Sequence, residues 1–148
     1  MRISAAGNER GFTLIELLAV LAIVGLASAA VMLAIPDRRG SPRHDAERFA
    51  ARVRAAGDEA VIGAHAIRLR ITPTGYAFDR RNHGQWRAIA DPPFEPLRWG
   101  EGVSPEPATA RLLFDPTGLA DPLTLILRRG SARVTVRIEG DGAVHVAP

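Results

Sequence analysis

The stretch Arg10–Glu16, RGFTLIE, opens an apolar run that continues to Ile35. Between Phe12 and Ile35 the only ionisable side chain is Glu16. At about 1.5 Å of rise per residue these residues form a helix of roughly 36 Å, which can cross a hydrocarbon core of about 30 Å with some tilt. Apolar side chains surround this helix on all sides, as lipid requires. The run therefore predicts one transmembrane helix over residues 12–35.

Glu16 is the unusual residue of that helix. An ionisable group at the centre of a membrane helix costs roughly 2.5–3.5 kcal/mol, and less near an end, so such groups usually mark a function. The run contains no Lys or Arg to offset the charge. Cleavage after Gly11 would place a new α-amine on Phe12, four residues before Glu16. The charge pattern therefore predicts that the precursor is processed.

A Gly-Phe-Thr-Leu-Ile-Glu motif followed by a long apolar helix resembles the leader and N-terminus of type IV prepilins and type II secretion pseudopilins. The resemblance implies that the prepilin peptidase cleaves between Gly11 and Phe12 and N-methylates Phe12. It also implies that Glu16 pairs with the N-terminal amine of a neighbouring subunit during assembly. The alternatives are an ordinary signal anchor or a secretory signal, but the apolar core of a secretory signal spans about 7–15 residues and precedes its cleavage site.

This division leaves residues 1–11 as a leader and residues 36–148 as one small domain. All 19 basic residues are Arg, and the net charge of +3 is too small to predict a polyanionic partner. The absence of cysteine excludes disulfides and thiolate metal sites. Because arginines flank the span on both sides, charge does not orient it. The family resemblance places the C-terminal domain in the periplasm and the helix in the bacterial inner membrane as a single pass.

After the breakers Pro36 and Gly40–Pro42, apolar residues recur at helical spacing and predict an amphipathic helix over residues 43–63. Alternation then predicts short antiparallel strands, near residues 67–71, 76–78, 85–87, 97–99, 111–115, 123–127, 133–138 and 143–146. The five prolines within residues 91–109 predict that most of that segment is an exposed loop. The predicted fold class is α+β and pilin-like, with a long N-terminal helix, half transmembrane and half amphipathic, packed on antiparallel β-sheets.

The domain formed by residues 36–148 narrows the resemblance to a smaller group of these proteins. A helix over 49–63, hairpins carrying Tyr76–Phe78 and Trp86, and the stretch Leu112–Gly118 before the strand Pro122–Leu125 resemble the H-type minor pseudopilins of type II secretion. Minor pilins of the FimT and FimU kind share that domain. The resemblance implies a structural subunit that assembles with other pseudopilins through the prepilin peptidase and an inner-membrane assembly platform. The alternative is a type IV pilus minor pilin, with DNA binding during natural transformation.

The arginines of two strands offer a candidate nucleic-acid contact. Arg68 and Arg70 lie on the polar face of one predicted strand, and Arg133 and Arg137 lie on that of another. If these strands were neighbours, a basic face would form that could neutralise phosphates. Charged residues also alternate on any sheet with one solvated face, and this interpretation is favoured. Nucleic acid is therefore an unlikely partner.

The sequence contains no recognisable pattern of a catalytic or metal site. The four histidines lie far apart, without a second ligand at metal-binding spacing: His44, His65, His83 and His145. Asp58 and Glu59 are adjacent, so on a helix they point to different faces and suit a solvated surface better than acid–base catalysis. We expect no enzymatic activity, no cofactor and no metal.

Overall fold

The computed structural model of the chain describes residues 14–34 and 41–148, and these fall into two compact units divided after Pro36. The first unit contributes one helix, α1, Leu14–Ala34. The second begins with helix α2, Pro42–Ile62. Because the N-terminal amides of a helix lack intrahelical partners, the hydroxyl of Ser41 caps α2 by accepting a hydrogen bond from the His44 amide at 3.1 Å. The predicted amphipathic helix is confirmed.

Nine strands follow in the described residues: β1 (Ile67–Thr72), β2 (Gly75–Asn82), β3 (Gln85–Ala88), β4 (Leu97–Arg98), β5 (Ser104–Glu106), β6 (Ala110–Phe114), β7 (Leu123–Arg129), β8 (Ala132–Ile138) and β9 (Val144–Ala147). They form two sheets in which every pair is antiparallel. The first sheet has the order β3-β2-β1-β6, with β4 also paired to β2. The second has the order β5-β7-β8-β9. The predicted α+β class, with helix packed on antiparallel sheets, is confirmed.

The core of the second unit lies between α2 and the inner faces of both sheets. Small residues on α2 let the helix approach the strands, and Phe49 is its largest fully buried side chain. The Phe49 ring lies 5.0 Å from the Tyr76 ring, which lies 4.9 Å from the Trp99 ring, measured between centroids. Burial raises the pKa of Tyr76 to about 12, an effect that the nearby Arg52 and Arg48 oppose. This aromatic cluster fixes α2 against the first sheet.

The segment 91–109 is mostly exposed, as predicted, but it also supplies side chains to the core and forms a strand that was not predicted. Phe94, Trp99 and Val103 are buried in the core, and residues 104–106 form β5. Pro105 is compatible with a strand because β5 is the edge of its sheet, where a residue without an amide hydrogen is tolerated. Proline content therefore predicted the brief pairing and the exposure of most residues correctly, but it did not predict β5 or the buried side chains.

Candidate functional site

Helix α1 is the first part of the candidate site. Glu16 lies in its first turn and is its only ionisable side chain, a position where the helix dipole favours an acid. The side chains from Leu14 to Val31 are exposed, and within the described residues this is the one helix long and apolar enough to cross a membrane. So large an apolar surface requires lipid or other helices as its surroundings. Gly11 and Phe12, the predicted processing site, lie outside the described residues.

The one hydroxyl of α1, that of Ser28, is satisfied within the helix. Its Oγ donates a hydrogen bond to the carbonyl oxygen of Val24 at 2.8 Å, a bond that suits a serine in an apolar environment. A methyl group added at Gly25 would meet no atom within 4 Å. Between Leu14 and Ala34, Glu16 is thus the residue whose chemistry distinguishes the helix from a simple apolar anchor.

The second part of the site is the outer face of the first sheet, where Arg68 and Arg70 converge on one carboxylate. Asp79 is buried on β2, with 3% of its surface exposed. Its Oδ2 accepts from Arg70 Nε at 2.7 Å and from an Arg68 terminal nitrogen at 2.8 Å. Burial by itself would raise the pKa of Asp79, but the hydrogen bonds from Arg70 and Arg68 lower it below its usual value. Asp79 is therefore a carboxylate shared by two guanidinium groups.

Further cationic and aromatic side chains join this cluster. The Arg68 guanidinium lies 4.5 Å from the centre of the Trp86 ring, and the Arg81 guanidinium lies 6.0 Å from it. Arg111 on β6 is directly opposite Arg70. We call the set the arginine face: Arg68, Arg70, Arg81 and Arg111 with Asp79 and Trp86. Asp79, Trp86 and Arg111 were not predicted to share a site, because only the register of four strands brings them together.

The structure places the two arginine pairs of the candidate nucleic-acid contact in different sheets. Arg133 and Arg137 are exposed on β8, which pairs with β7 and β9 in the second sheet. β1 pairs with β2 and β6 in the first sheet. The strands β1 and β8 are therefore not neighbours, so the condition for a basic face shared by them is not met, since the chain changes sheets between β6 and β7. Contact of these arginines with nucleic acid stays a prediction.

Charged residues of α2 hold the connecting segments rather than forming a catalytic pair. Asp45 is buried and accepts hydrogen bonds from the Gly100 amide at 2.6 Å and from Arg48 at 2.9 Å. Glu59 binds Arg80 of β2 at 2.8 Å in a partly exposed ion pair, so it lies at the surface as expected but also links α2 to the first sheet. No sequence pattern indicated the burial of Asp45, because that burial depends on a contact with a residue 55 positions away in the chain.

Metal binding finds no support in the part of the chain that the structure describes. Among residues 14–34 and 41–148, no group of three or more His, Asp or Glu side chains is placed to hold a metal ion. His83 lies exposed in the turn between β2 and β3, where its φ of 48° and the φ of 81° at Gly84 match the tight hairpin turn that needs positive φ at both positions. His83 therefore serves the turn geometry.

Two families of proteins resemble separate parts of the chain. A model described as the prokaryotic N-terminal methylation motif matches residues 7–32, and one described as type II transport protein GspH matches residues 45–142. The type II secretion system protein H of Aeromonas hydrophila is 34% identical over 86 residues, which cover 55% of this chain and 47% of that relative. The chain thus spans about half the length of this relative.

Solved structures show the same fold at low identity. The minor pseudopilin EpsH from the type 2 secretion system of Vibrio cholerae has a TM-score of 0.62 and 18% identity, covering 72% of this chain and 96% of EpsH. The type IV minor pilin FimU of Pseudomonas aeruginosa has a TM-score of 0.56 and 18% identity, covering 72% and 88%. At these identities the likeness concerns the fold alone. The GspH model matches residues 45–142, which are well over half of this chain. The chain therefore belongs to the GspH family of type II transport proteins.

Proposed function

We propose that the chain is a minor pseudopilin of a type II secretion system, a structural subunit without catalytic activity. Before assembly, α1 anchors it in the bacterial inner membrane and the domain after Pro36 lies in the periplasm. During assembly α1 leaves the lipid and packs against the helices of other pseudopilins. The fibre so formed drives protein export across the outer membrane.

The observation that carries this proposal is the order of two features in one chain. A methylation motif over residues 7–32 precedes a GspH domain over residues 45–142. Helix α1, most of which lies within the motif, presents apolar side chains on all sides and a single acid, Glu16, near its start. Lipid surrounds such a helix before assembly, and other apolar helices replace the lipid afterwards with little change in hydrophobic free energy. The charge of Glu16 then selects the register of packing.

Glu16 selects the register because an acid among apolar helices needs a cation nearby. Removal of residues 1–11 by the prepilin peptidase creates an α-amine at Phe12, and N-methylation of Phe12 keeps that amine basic. In the fibre, the amine of one subunit lies against Glu16 of its neighbour. The inner-membrane assembly platform is the second partner that this pathway requires.

Processing is tested with Gly11→Ala in the native host, followed by mass spectrometry of the purified chain. We expect the variant to retain residues 1–11, whereas Gly25→Ala is cleaved and methylated normally, because its added methyl group meets no atom within 4 Å. Cleavage of the Gly11→Ala variant at the wild-type rate would refute the assignment of this bond to the prepilin peptidase.

The secretion role is tested by deleting the gene and measuring exported proteins in the culture medium. We expect export to fall and to be restored by the wild-type chain. The likeness to FimU supports a second candidate, a type IV pilus minor pilin active in natural transformation. That candidate predicts normal export after deletion, with loss of pili or of DNA uptake.

A further inference from the structure

The arginine face has the position, charge and composition of an interaction surface. We propose that it docks an acidic surface of another pilin-like subunit in the fibre, an inference that rests on the assembly role proposed above. α2 covers the inner side of the first sheet, where Ile67, Leu69 and Phe78 are buried. The outer side carries the arginine face, and it has no helix of the second unit packed on it among the described contacts.

The strand register places these side chains on one side of the sheet. Directly opposite residues of antiparallel strands point the same way, and Arg68 lies opposite both Asp79 and Leu113. Arg81 lies opposite Trp86 in the same manner. Leu113 keeps 38% of its surface exposed, which adds an apolar group to the charged ones. The face is therefore a mixed patch of arginine, tryptophan and leucine.

The arginine face carries more positive than negative charge. Arg68 and Arg70 share the single carboxylate of Asp79, whereas Arg81 and Arg111 form no ion pair with any residue that the structure describes. Arg70 and Arg111 are direct neighbours across the strands, and like charges in that position repel. Both line an open cleft of about 590 Å³ on the sheet, together with Thr72 and Thr109. An acidic side chain entering this cleft would relieve the repulsion.

The composition favours a protein over a nucleic acid as the partner. Arginine and tryptophan are enriched at the centres of protein interfaces, where an apolar anchor is surrounded by charged groups. Nucleic-acid binding by phosphate neutralisation typically uses about 6–10 contacts, and this face offers two arginines without an ion pair. The Arg68 guanidinium also stacks over the Trp86 ring, on which a base would have to stack. A heterologous contact of this kind repeats naturally in a helical fibre.

The test uses the full chain, expressed in its host with the other pilin-like subunits of its secretion system. A photo-reactive amino acid replaces Leu113, which lies opposite Arg68 beside the arginine face, or Thr124 on the outer face of the second sheet as a control. We expect the probe at position 113 to crosslink to a sister subunit through a peptide rich in Asp or Glu. The probe at position 124 should give at least about tenfold less of that product. A tenfold difference in binding corresponds to about 1.4 kcal/mol of binding free energy.

Charge reversal then tests the arginines. The double variant Arg81→Glu/Arg111→Glu should lower the crosslink from position 113 about tenfold or more. The matched control Arg133→Glu/Arg137→Glu reverses two exposed arginines of the second sheet and should leave the yield within about twofold. Circular dichroism of each variant verifies folding, and the milder Arg111→Gln should lower the yield about threefold if the double variant fails to fold.

Four results would overturn the inference. The first is an equal loss of crosslink in both double variants, and the second is a crosslinked peptide without acidic residues. The third is that the full chain in detergent binds a duplex DNA probe in a salt-sensitive manner, and that Arg81→Glu/Arg111→Glu abolishes this binding. In that case no subunit would crosslink at position 113. The fourth is normal leader cleavage with normal export in Arg81→Glu/Arg111→Glu, which would reject this surface but leave the secretion role intact. Normal export after gene deletion would reject that role itself.

Discussion

Replacement of Asp79 by Ala provides the sharpest test of how the outer face of the first sheet is held together. The Asp79 carboxylate accepts hydrogen bonds from Arg68 and Arg70 at 2.7 to 3.0 Å while 3% of the residue is exposed. Without it, two guanidinium groups lie side by side with no anion between them, and Arg111 adds a third positive charge next to Arg70. Folding should therefore become less favourable.

The size of the effect follows from the burial of the three groups. Removing one partner of a fully buried ion pair destabilises a protein by about 3–5 kcal/mol. The side chains of Arg68 and Arg70 are 27% and 38% exposed, so they can turn towards water and recover part of that loss. We expect Asp79→Ala to lower the free energy of unfolding by about 2–4 kcal/mol. For a domain of this size that corresponds to a Tm lower by roughly 8–16 °C.

The assay is thermal unfolding of the full chain in detergent, followed by near-ultraviolet circular dichroism of the buried aromatic residues. Asp58→Ala is the matched control, since Asp58 is exposed on α2, and its Tm should change by less than about 2 °C. The pKa of Asp79 is lower in the folded chain than its ordinary value. Its contribution to the free energy of unfolding is therefore fully present above the ordinary Asp pKa, and it disappears as the pH falls through the lowered value. The gap between wild type and Asp79→Ala should therefore narrow in strong acid. Equal Tm values for the two variants at neutral pH would refute the reasoning.

Three further changes test other parts of the molecule. Glu16→Ala should leave membrane insertion and leader cleavage intact but abolish assembly, so export measured in the culture medium should fall to the level of the deletion strain; wild-type export would contradict the proposed pairing. Tyr76→Phe should reduce the loss of stability above pH 10, because the folded state holds the Tyr76 pKa at about 12 and the unfolded chain ionises near 10, a difference of about 3 kcal/mol visible in alkaline unfolding curves. Asp45→Ala should lower the Tm by several degrees, since it leaves the Gly100 amide without its acceptor; an unchanged Tm would show that water replaces the carboxylate.

Helices α1 and α2 were predictable because both depend on local sequence. A continuous apolar run forms a helix through hydrogen bonds within the segment itself, so α1, Leu14–Ala34, needs no distant partner to be recognised. Helix α2 was predicted from apolar residues that recur at helical spacing after the breakers Pro36 and Gly40–Pro42. Alternation likewise predicted most strands, because one face of each strand is buried whatever its neighbours are.

The pairing of those strands was decided only by the tertiary structure. Alternation shows that Arg68 and Arg133 point away from the core, but it carries no information on which sheet each strand joins. Register between strands depends on contacts distant in sequence, and it is register that brings Asp79 between two arginines and Trp86 beneath Arg68. The burial of Trp99 in a proline-rich segment has the same origin, because the aromatic cluster that receives it includes Phe49, 50 residues earlier in the chain. Local chemistry determined what each element of this protein is, and the long-range packing free energy determined which elements meet.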